Sequence, residues 1–177
     1  PKGWVSAKLQ WDPDQDVDQL LHDWYVSAVG EEAAPYLQQY YEHWEQFWTG
    51  RILQSEWFLR FSGVYLSFND LTYLREVTRD EVEYSKQLLQ QVVAHAGPGK
   101  QQVRAEKFLQ AFDYYESSVL SYPVSGDVET PTNEQDALDM LDRVIESYEM
   151  ATRRNEIREE FQPDPILRMY GRNIGTW

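Results

Sequence analysis

An acidic run near the start of the chain is the first group of residues with a recognisable chemistry. It places aspartates at alternate positions, namely Asp12, Asp14, Asp16 and Asp18. With Asp23 at the twelfth position, the run resembles the start of a calcium-binding loop, but Val17 stands at the sixth position, where the sharp turn needs glycine. We therefore interpret the run as acidic residues favoured by the dipole at a helix N-terminus, and we predict no metal site.

Histidines and paired carboxylates offer little further catalytic chemistry. The three histidines, His22, His43 and His95, form no HExxH motif and no zinc-ligand spacing. Acidic pairs at helical spacing are Glu42 with Glu45, Asp80 with Glu83, Asp136 with Asp139, and Glu156 with Glu160. Glycoside hydrolysis needs two carboxyl groups facing each other across a bond, which neighbours on one solvated helix face do not provide. We predict no catalytic residue and no cofactor in this chain.

Aromatic residues are the most unusual feature of the composition, with seven Trp, twelve Tyr and seven Phe. Such rings fill helical cores, and they can also stack on the faces of sugars. Most lie on the apolar stripes of predicted helices, where we expect them to be buried. The rings off those stripes are candidates for exposed, carbohydrate-stacking residues: Tyr36, Trp57, Tyr65, Tyr73, Tyr114 and Trp177.

The elements that must position these residues follow a helical period almost throughout. A short opening helix carries Trp4 and Trp11 on one face, and a following proline ends it. A second helix has an apolar stripe over 17–29 and stops at Gly30. A third helix begins at once over 31–35, and so short a joint favours an antiparallel helical hairpin.

The middle of the chain is less regular. Residues 50–77 are rich in aromatic and apolar side chains but fit neither period, so we expect short helices and ordered coil, with paired strands as the less favoured alternative. Thr78–Glu81 and Thr132–Gln135 each fit a capping box and open a helix. A further helix lies between a Gly-Pro-Gly turn at 97–99 and Tyr122-Pro123.

Apolar spacing also predicts the buried faces of the last two long helices. In the first of them, Val103, Ala105, Phe108, Leu109, Phe112, Tyr115 and Val119 should face inward. In the second, the inward residues should be Leu138, Leu141, Val144, Ile145, Tyr148 and Ala151. The predicted fold is all-α, an irregular bundle of five or six helices that starts with a helical hairpin.

Composition and charge exclude several classes of function. The 177 residues are 42% hydrophobic, enough to bury a core, and carry a net charge of −14, which argues against nucleic acid or an anionic membrane surface as partner. No apolar run approaches the roughly 18–20 residues of a membrane span. The absence of cysteine excludes disulfides and Cys-based zinc sites. Because the chain starts at Pro1 without a methionine, we expect a processed product or a piece of something longer.

The first fifty residues are similar to a stretch found in large bacterial glycoside-hydrolase-like proteins, in the region called domain of unknown function 4838. The similarity lies in residues 3–18 (GWVSAKLQWDPDQDVD), 20–25 (LLHDWY), 29–37 (VGEEAAPYL) and 40–42 (YYE). Members often have an aromatic residue where this chain has Val29. A less specific likeness to the later part of the region involves Arg104, Phe108 and Tyr114-Tyr115.

The resemblance implies a place for this chain within a larger protein. In such proteins the stretch lies at and beyond the end of a barrel-like catalytic domain. Residues 1–11 would then be the remnant of the last barrel helix, and 12–177 a C-terminal helical domain. The acid and base of the glycosidase would lie upstream, so none is carried over to a residue here. Members are commonly exported, which implies a periplasmic or extracellular location.

Three functions remain as hypotheses. The first is a non-catalytic helical domain of a polysaccharide-acting bacterial enzyme that packs against the barrel or mediates homodimerisation, with Trp4 and Trp11 as interface candidates. The alternative is a free-standing helical module that binds polysaccharide through the off-stripe aromatics. The third is a small independent enzyme with a carboxylate pair between helices, for which no convergent acid, base and pocket can be identified in the sequence.

Overall fold

The structure, a computed structural model, describes residues 1–61, 63, 66, 68, 70–122 and 130–163. Over these residues it consists of helices without strands, which confirms the predicted all-α class. The α-helices are α1 (Lys2–Trp11), α2 (Val17–Val29), α3 (Ala34–Thr49), α4 (Glu56–Phe61), α5 (Arg79–His95), α6 (Lys100–Ser121) and α7 (Glu134–Phe161). The irregular region 50–77 holds the short α4 and two 3₁₀ helices, Arg51–Gln54 and Thr72–Glu76. These short helices are of the kind expected there, and α4 brings the number of α-helices in the described residues to seven rather than five or six.

The chain divides into two compact units. The first comprises Pro1–Phe47 and Glu83–Gln110, and the second comprises Trp48–Val82 and Ala111–Trp177. Helices α1 and α2 belong wholly to the first unit, and α4 and α7 wholly to the second. Each unit has its own set of buried apolar side chains, including Val29, Leu37, Leu89, Val92 and Ala105 in the first, and Ile52, Trp57, Leu74, Phe112 and Phe161 in the second.

Helix α2 begins and ends where the sequence indicates, and α3 begins within the predicted segment 31–35. The side chain of Asp16 caps α2 by accepting the backbone N–H groups of Asp18 and Gln19 at 2.9 and 3.2 Å. Gly30 ends α2 with φ of +98°, a conformation that favours glycine. The rings of Trp24 and Tyr41 then pack edge to face at 5.6 Å, so α2 contacts α3 as the predicted hairpin requires.

One capping box is where the sequence places it, and the other is shifted by one residue. At α5 the Thr78 N–H donates to the Glu81 carboxylate at 2.9 Å, and the Glu81 N–H donates to the Thr78 hydroxyl at 3.3 Å. At α7 the N-cap is Asn133, whose side-chain oxygen accepts the N–H of Asp136 at 2.9 Å. The predicted pairing of Thr132 with Gln135 was wrong because Asn133 caps the helix and the carboxylate that accepts the Thr132 N–H belongs to Asp136.

Helix α7 does not bury the face that its apolar spacing predicts. Its buried residues are Arg154, Ile157 and Phe161, close to its C-terminal end. The predicted stripe is instead exposed, at 48, 57, 57, 55 and 76% for Leu138, Leu141, Val144, Ile145 and Tyr148. At about 100° per residue, Leu141 and Ile157 point about 160° apart, so the stripe lies nearly opposite the buried face.

Helix α6 buries only part of its predicted apolar stripe. Val103 on α6 is half exposed rather than buried, whereas Ala105 and Phe112 of the same predicted stripe are buried. In the parts of the chain that the structure describes, no helix has the length and apolar character to cross a membrane.

Candidate functional site

A shallow groove beside α3 and α5, within the first unit, brings an aromatic candidate next to polar side chains. Its volume is about 340 Å³, at the lower end of the range for small-ligand sites. The lining consists of Tyr36, Gln39, Tyr84, Gln87, Leu88, Gln90 and Gln91. Four glutamine amides and two phenol rings therefore share one concave surface.

Helical spacing explains why these residues meet. Tyr84, Leu88 and Gln91 stand at i, i+4 and i+7 on α5, so they share one face of the helix. Tyr36 and Gln39 are three residues apart near the start of α3. Leu88 is buried, whereas the four glutamines are exposed, which leaves their amides accessible from solvent.

Two histidines hold the tyrosine rings in place. The ring of Tyr36 lies 5.2 Å from that of His95, and Nδ1 of His95 is 2.9 Å from the carbonyl oxygen of Gln91. The ring of Tyr84 meets His43 at 5.4 Å in an edge-on arrangement. Each tyrosine ring of the groove therefore has an aromatic neighbour on the other helix.

The groove has no formally charged lining residue, although 26% of the chain is charged. Just outside the lining, the Glu83 carboxylate accepts a hydrogen bond from the side-chain amide of Gln87 at 3.2 Å. Amides both donate and accept hydrogen bonds, so the surface suits a neutral ligand with many hydroxyl or amide groups.

The structure places the six sugar-stacking candidates in different settings. Tyr36 is half buried and lines the groove. The expected exposure of Trp57, Tyr73 and Tyr114 was wrong, because all three are buried in the second unit. Tyr65 and Trp177 lie outside the described residues.

Irregular local structure explains two of these three errors, and contact with α7 explains the third. Trp57 and Tyr73 lie in α4 and a 3₁₀ helix, where a single helical period does not predict the buried side, and their rings pack at 5.5 Å. Tyr114 is buried against Phe161 of α7, with ring centroids 5.4 Å apart. Conversely, Tyr84 was missed; it lies on α5 four residues before the buried Leu88 and is 42% exposed.

Buried phenols in both units stay protonated at neutral pH. Burial raises the pKa of Tyr73 to about 12, with a smaller contribution from Tyr114. Burial also raises the pKa of Tyr25 to about 12, and the nearby Glu42 and Glu45 add to the effect. Neither group is therefore a base or a nucleophile at neutral pH.

Most of the paired carboxylates have polar or cationic partners of their own. Glu42 accepts the amide of Gln38 at 2.6 Å, and Glu45 pairs with Lys2 at 3.3 Å. Asp136 takes part in the cap of α7. Glu156 and Glu160 lie 3.5 and 3.4 Å from Arg153. Within the described ranges, no three acidic or histidine side chains are grouped so that they could hold a metal ion.

The interface candidates on α1 differ in exposure. Trp11 is 92% exposed at the end of the helix. Trp4 is half buried, and the Lys8 ammonium lies 5.3 Å from the centre of its ring. Both rings are therefore at least partly accessible, and their participation in an interface stays a prediction.

Comparison with known proteins gives one partial match. Residues 1–42 match the family model of a domain of unknown function, DUF4838. The matched segment covers α1, α2 and the first half of α3, so the likeness at Arg104, Phe108 and Tyr114 lies outside it. Neither the curated proteins nor the solved structures include a match to the chain.

Proposed function

We propose that this chain is a non-catalytic, helical accessory domain that associates with another folded surface through the α7 stripe, defined as Leu138, Leu141, Val144, Ile145 and Tyr148. The exposure of this stripe is the observation that carries the proposal. Scattered apolar residues on a protein surface need no explanation, but a contiguous apolar patch is typical of an interaction site.

The spacing of the stripe supports a helical or otherwise complementary partner surface. Leu138, Leu141, Ile145 and Tyr148 follow one another at intervals of three, four and three residues, the pattern of a helix–helix seam. Complete burial of a fully exposed aliphatic side chain is worth roughly 1.5–3 kcal/mol, and the four aliphatic residues of the stripe are each about half exposed, so each would contribute about half of that. An unoccupied stripe of this size therefore gives association a substantial driving force.

The match of residues 1–42 to DUF4838 supports a particular setting for this association. We propose that the parent is an exported bacterial glycoside hydrolase, in which residues 1–11 end the barrel domain and 12–177 form the accessory domain. The acidic net charge of −14 is compatible with such a setting. Docking of the domain on the barrel and homodimerisation are the two forms that the association can take, and Trp11 is an accessible contact for either.

Two measurements test the proposal. Analytical ultracentrifugation of the chain alone detects a homodimer, which the double variant Leu141→Gln/Ile145→Gln should dissociate. If the chain is monomeric, hydrogen exchange of residues 138–148 is compared between this chain and the full product of its gene. Docking predicts slower exchange in the full product. For the ultracentrifugation, Val103→Gln on α6 is the matched control, because Val103 is similarly exposed.

The two measurements distinguish self-association, docking on the parent protein and the absence of both. A dimer lost in the double variant but kept in Val103→Gln supports self-association, and protection of 138–148 in the longer protein supports docking on the parent. A monomer whose α7 exchange is identical in both contexts would overturn the proposal. A coding sequence with no barrel-sized region upstream of Pro1 would overturn the glycoside hydrolase setting while leaving self-association open to the first measurement.

Binding of carbohydrate by the domain itself is the second candidate function. The observation that favours it is the uncharged groove at Tyr36 and Tyr84. This function does not exclude docking through α7, because the groove belongs to the first unit and the α7 stripe to the second.

A further inference from the structure

We propose that the groove formed by Tyr36, Gln39, Tyr84, Gln87, Leu88, Gln90 and Gln91 binds a short stretch of an uncharged saccharide. This inference gives the carbohydrate-binding candidate a site and a ligand class, and it does not depend on association through the α7 stripe.

The lining of the groove is uncharged, which disfavours ionic ligands. None of the seven lining residues is charged, so a carboxylated or sulfated sugar would find no Lys or Arg to pair with. The chain as a whole carries a net charge of −14, which repels anions further. A cation would require carboxylates among the lining residues, and none is present among them.

The amides supply the hydrogen-bonding groups that hydroxyls need. Each glutamine side chain offers two N–H donors and one carbonyl acceptor, and each sugar hydroxyl both donates and accepts. Gln39 donates one N–H to the Pro35 carbonyl at 3.1 Å, and Gln87 donates one to Glu83 at 3.2 Å, so these amides are oriented in advance. Gln90 and Gln91 are exposed at the same surface.

The tyrosines supply apolar faces for the C–H side of a sugar ring. Tyr84 is 42% exposed, and Tyr36 is half buried in the lining. Their contacts with His43 and His95 restrain both rings, which lowers the entropy lost when a ligand is bound. Two restrained phenol rings and four amides on one surface form a mixed stacking and hydrogen-bonding site.

An extended peptide is the competing ligand class, and the lining favours it less. Peptide grooves gain affinity from pockets for apolar or aromatic anchor side chains. Here the aliphatic lining residue, Leu88, is itself buried. The lining otherwise combines four amides with two phenol rings, which suits hydroxyl-rich rings better than apolar anchor side chains.

Nuclear magnetic resonance titration tests the proposal on the whole chain. The probes are cellohexaose, xylohexaose and mannohexaose as neutral oligosaccharides, hexagalacturonate as an anionic one, and a glutamine- and proline-rich peptide. We expect at least one neutral probe to shift the side-chain amide signals of Gln87, Gln90 and Gln91 with a saturable dependence on concentration. Hexagalacturonate should leave them unchanged.

Matched variants assign the binding to the groove. Tyr84→Ala and Gln91→Ala should weaken the binding of that neutral probe by roughly five- to tenfold, whereas Tyr84→Phe keeps the ring and should weaken it by less than about twofold. Tyr148→Ala on α7 is the control, because it removes an exposed tyrosine outside the groove. Backbone amide spectra of each variant establish that the fold is retained.

Each result of the titration either supports or overturns saccharide binding at the groove. Saturable shifts at the groove amides that Tyr84→Ala weakens and Tyr148→Ala does not would support the proposal. No saturable shift with any of the three neutral probes would overturn it, as would shifts located elsewhere, equal binding of hexagalacturonate, or groove shifts with the peptide alone. These results do not bear on the α7 stripe, whose test is the state of association.

Discussion

The backbone nitrogen of Gly97 lies so close to Gly30 that a β-carbon at position 30 would come within 2.9 Å of it. The Gly97 N–H also donates to the Val29 carbonyl at 2.8 Å. The C-terminal end of α2 is therefore in direct backbone contact with the turn between α5 and α6, within the first unit. Glycine at position 30 permits this contact, whereas a β-carbon at position 97 would meet the side chain of Gln101.

Gly30→Ala should destabilise the protein by about 1–3 kcal/mol. Gly30 has φ of +98° and ψ of 163°, a region that is almost restricted to glycine, and the added β-carbon also meets backbone atoms that cannot easily move. Urea unfolding followed by circular dichroism measures the change. Gly3→Ala is the control, since a β-carbon there meets nothing within 4 Å and should be neutral or slightly stabilising in α1. Equal effects of the two changes would contradict this account.

The second prediction concerns which face of α7 is buried, and two isoleucines test it. Ile157 is 1% exposed and Ile145 is 55% exposed. Ile157→Ala should lower the free energy of unfolding by about 2–5 kcal/mol through loss of packing and the resulting cavity. Ile145→Ala should change it by no more than about 0.5 kcal/mol in the monomer. A large effect of Ile145→Ala on a monomer would mean that the chain covers its own stripe.

Most regular helices and some of their ends were predictable because local chemistry determines them. Asp16 and Gly30 bound α2 through a side-chain cap and a glycine conformation, and Thr78 with Glu81 begins α5 through reciprocal hydrogen bonds. The stripe of α7 was misassigned for a different reason. Periodicity identifies the apolar face of a helix, but it does not tell whether the partner of that face belongs to the same chain.

The groove was only partly predictable. Tyr36 was a candidate because it stands off the apolar stripe of its helix, whereas Tyr84 shares a face of α5 with the buried Leu88 and was not identified. The glutamines carried no signal in the sequence, since exposed glutamine is common on helices. What brings them together is the packing of α3 beside α5, which residue spacing within one helix cannot reveal.

The N-cap of α7 leads to a third prediction. Asn133→Ala should lower the free energy of unfolding by about 1 kcal/mol, because its side-chain oxygen accepts the N–H of Asp136 at 2.9 Å. Gln135→Ala removes only the exposed contact with Asp139 at 2.7 Å and should cost at most a few tenths of a kcal/mol. Thermal unfolding of both variants compares the two positions. The reverse order of effects would favour the capping box with Thr132 and Gln135 that the sequence suggested.

An ion pair within the second unit links α5 to α7. Both terminal nitrogens of Arg79 donate to the carboxylate of Glu146, one of them at 2.8 Å. These hydrogen bonds, with the charge of Arg79, lower the pKa of Glu146 below its ordinary value of 4.5, against a smaller opposing effect of burial. Because the folded protein holds this carboxylate in its charged form more strongly than the unfolded chain does, the pair stabilises the fold above about pH 4.5.

Glu146→Gln should therefore lower stability at neutral pH, and the difference from the unmodified protein should shrink as the pH falls below 4.5 toward the lowered pKa. Taking the difference between the two proteins cancels the other carboxylates that titrate in the same range. Urea midpoints measured from about pH 7 to about pH 3 give the profile. Glu149→Gln, which also removes one negative charge from α7 but leaves the Arg79 pair intact, is the control. If the loss of stability in Glu146→Gln stayed constant across this range, the stabilisation would come from hydrogen bonds and packing at position 146. The ionisation of Glu146 would then make no contribution to stability.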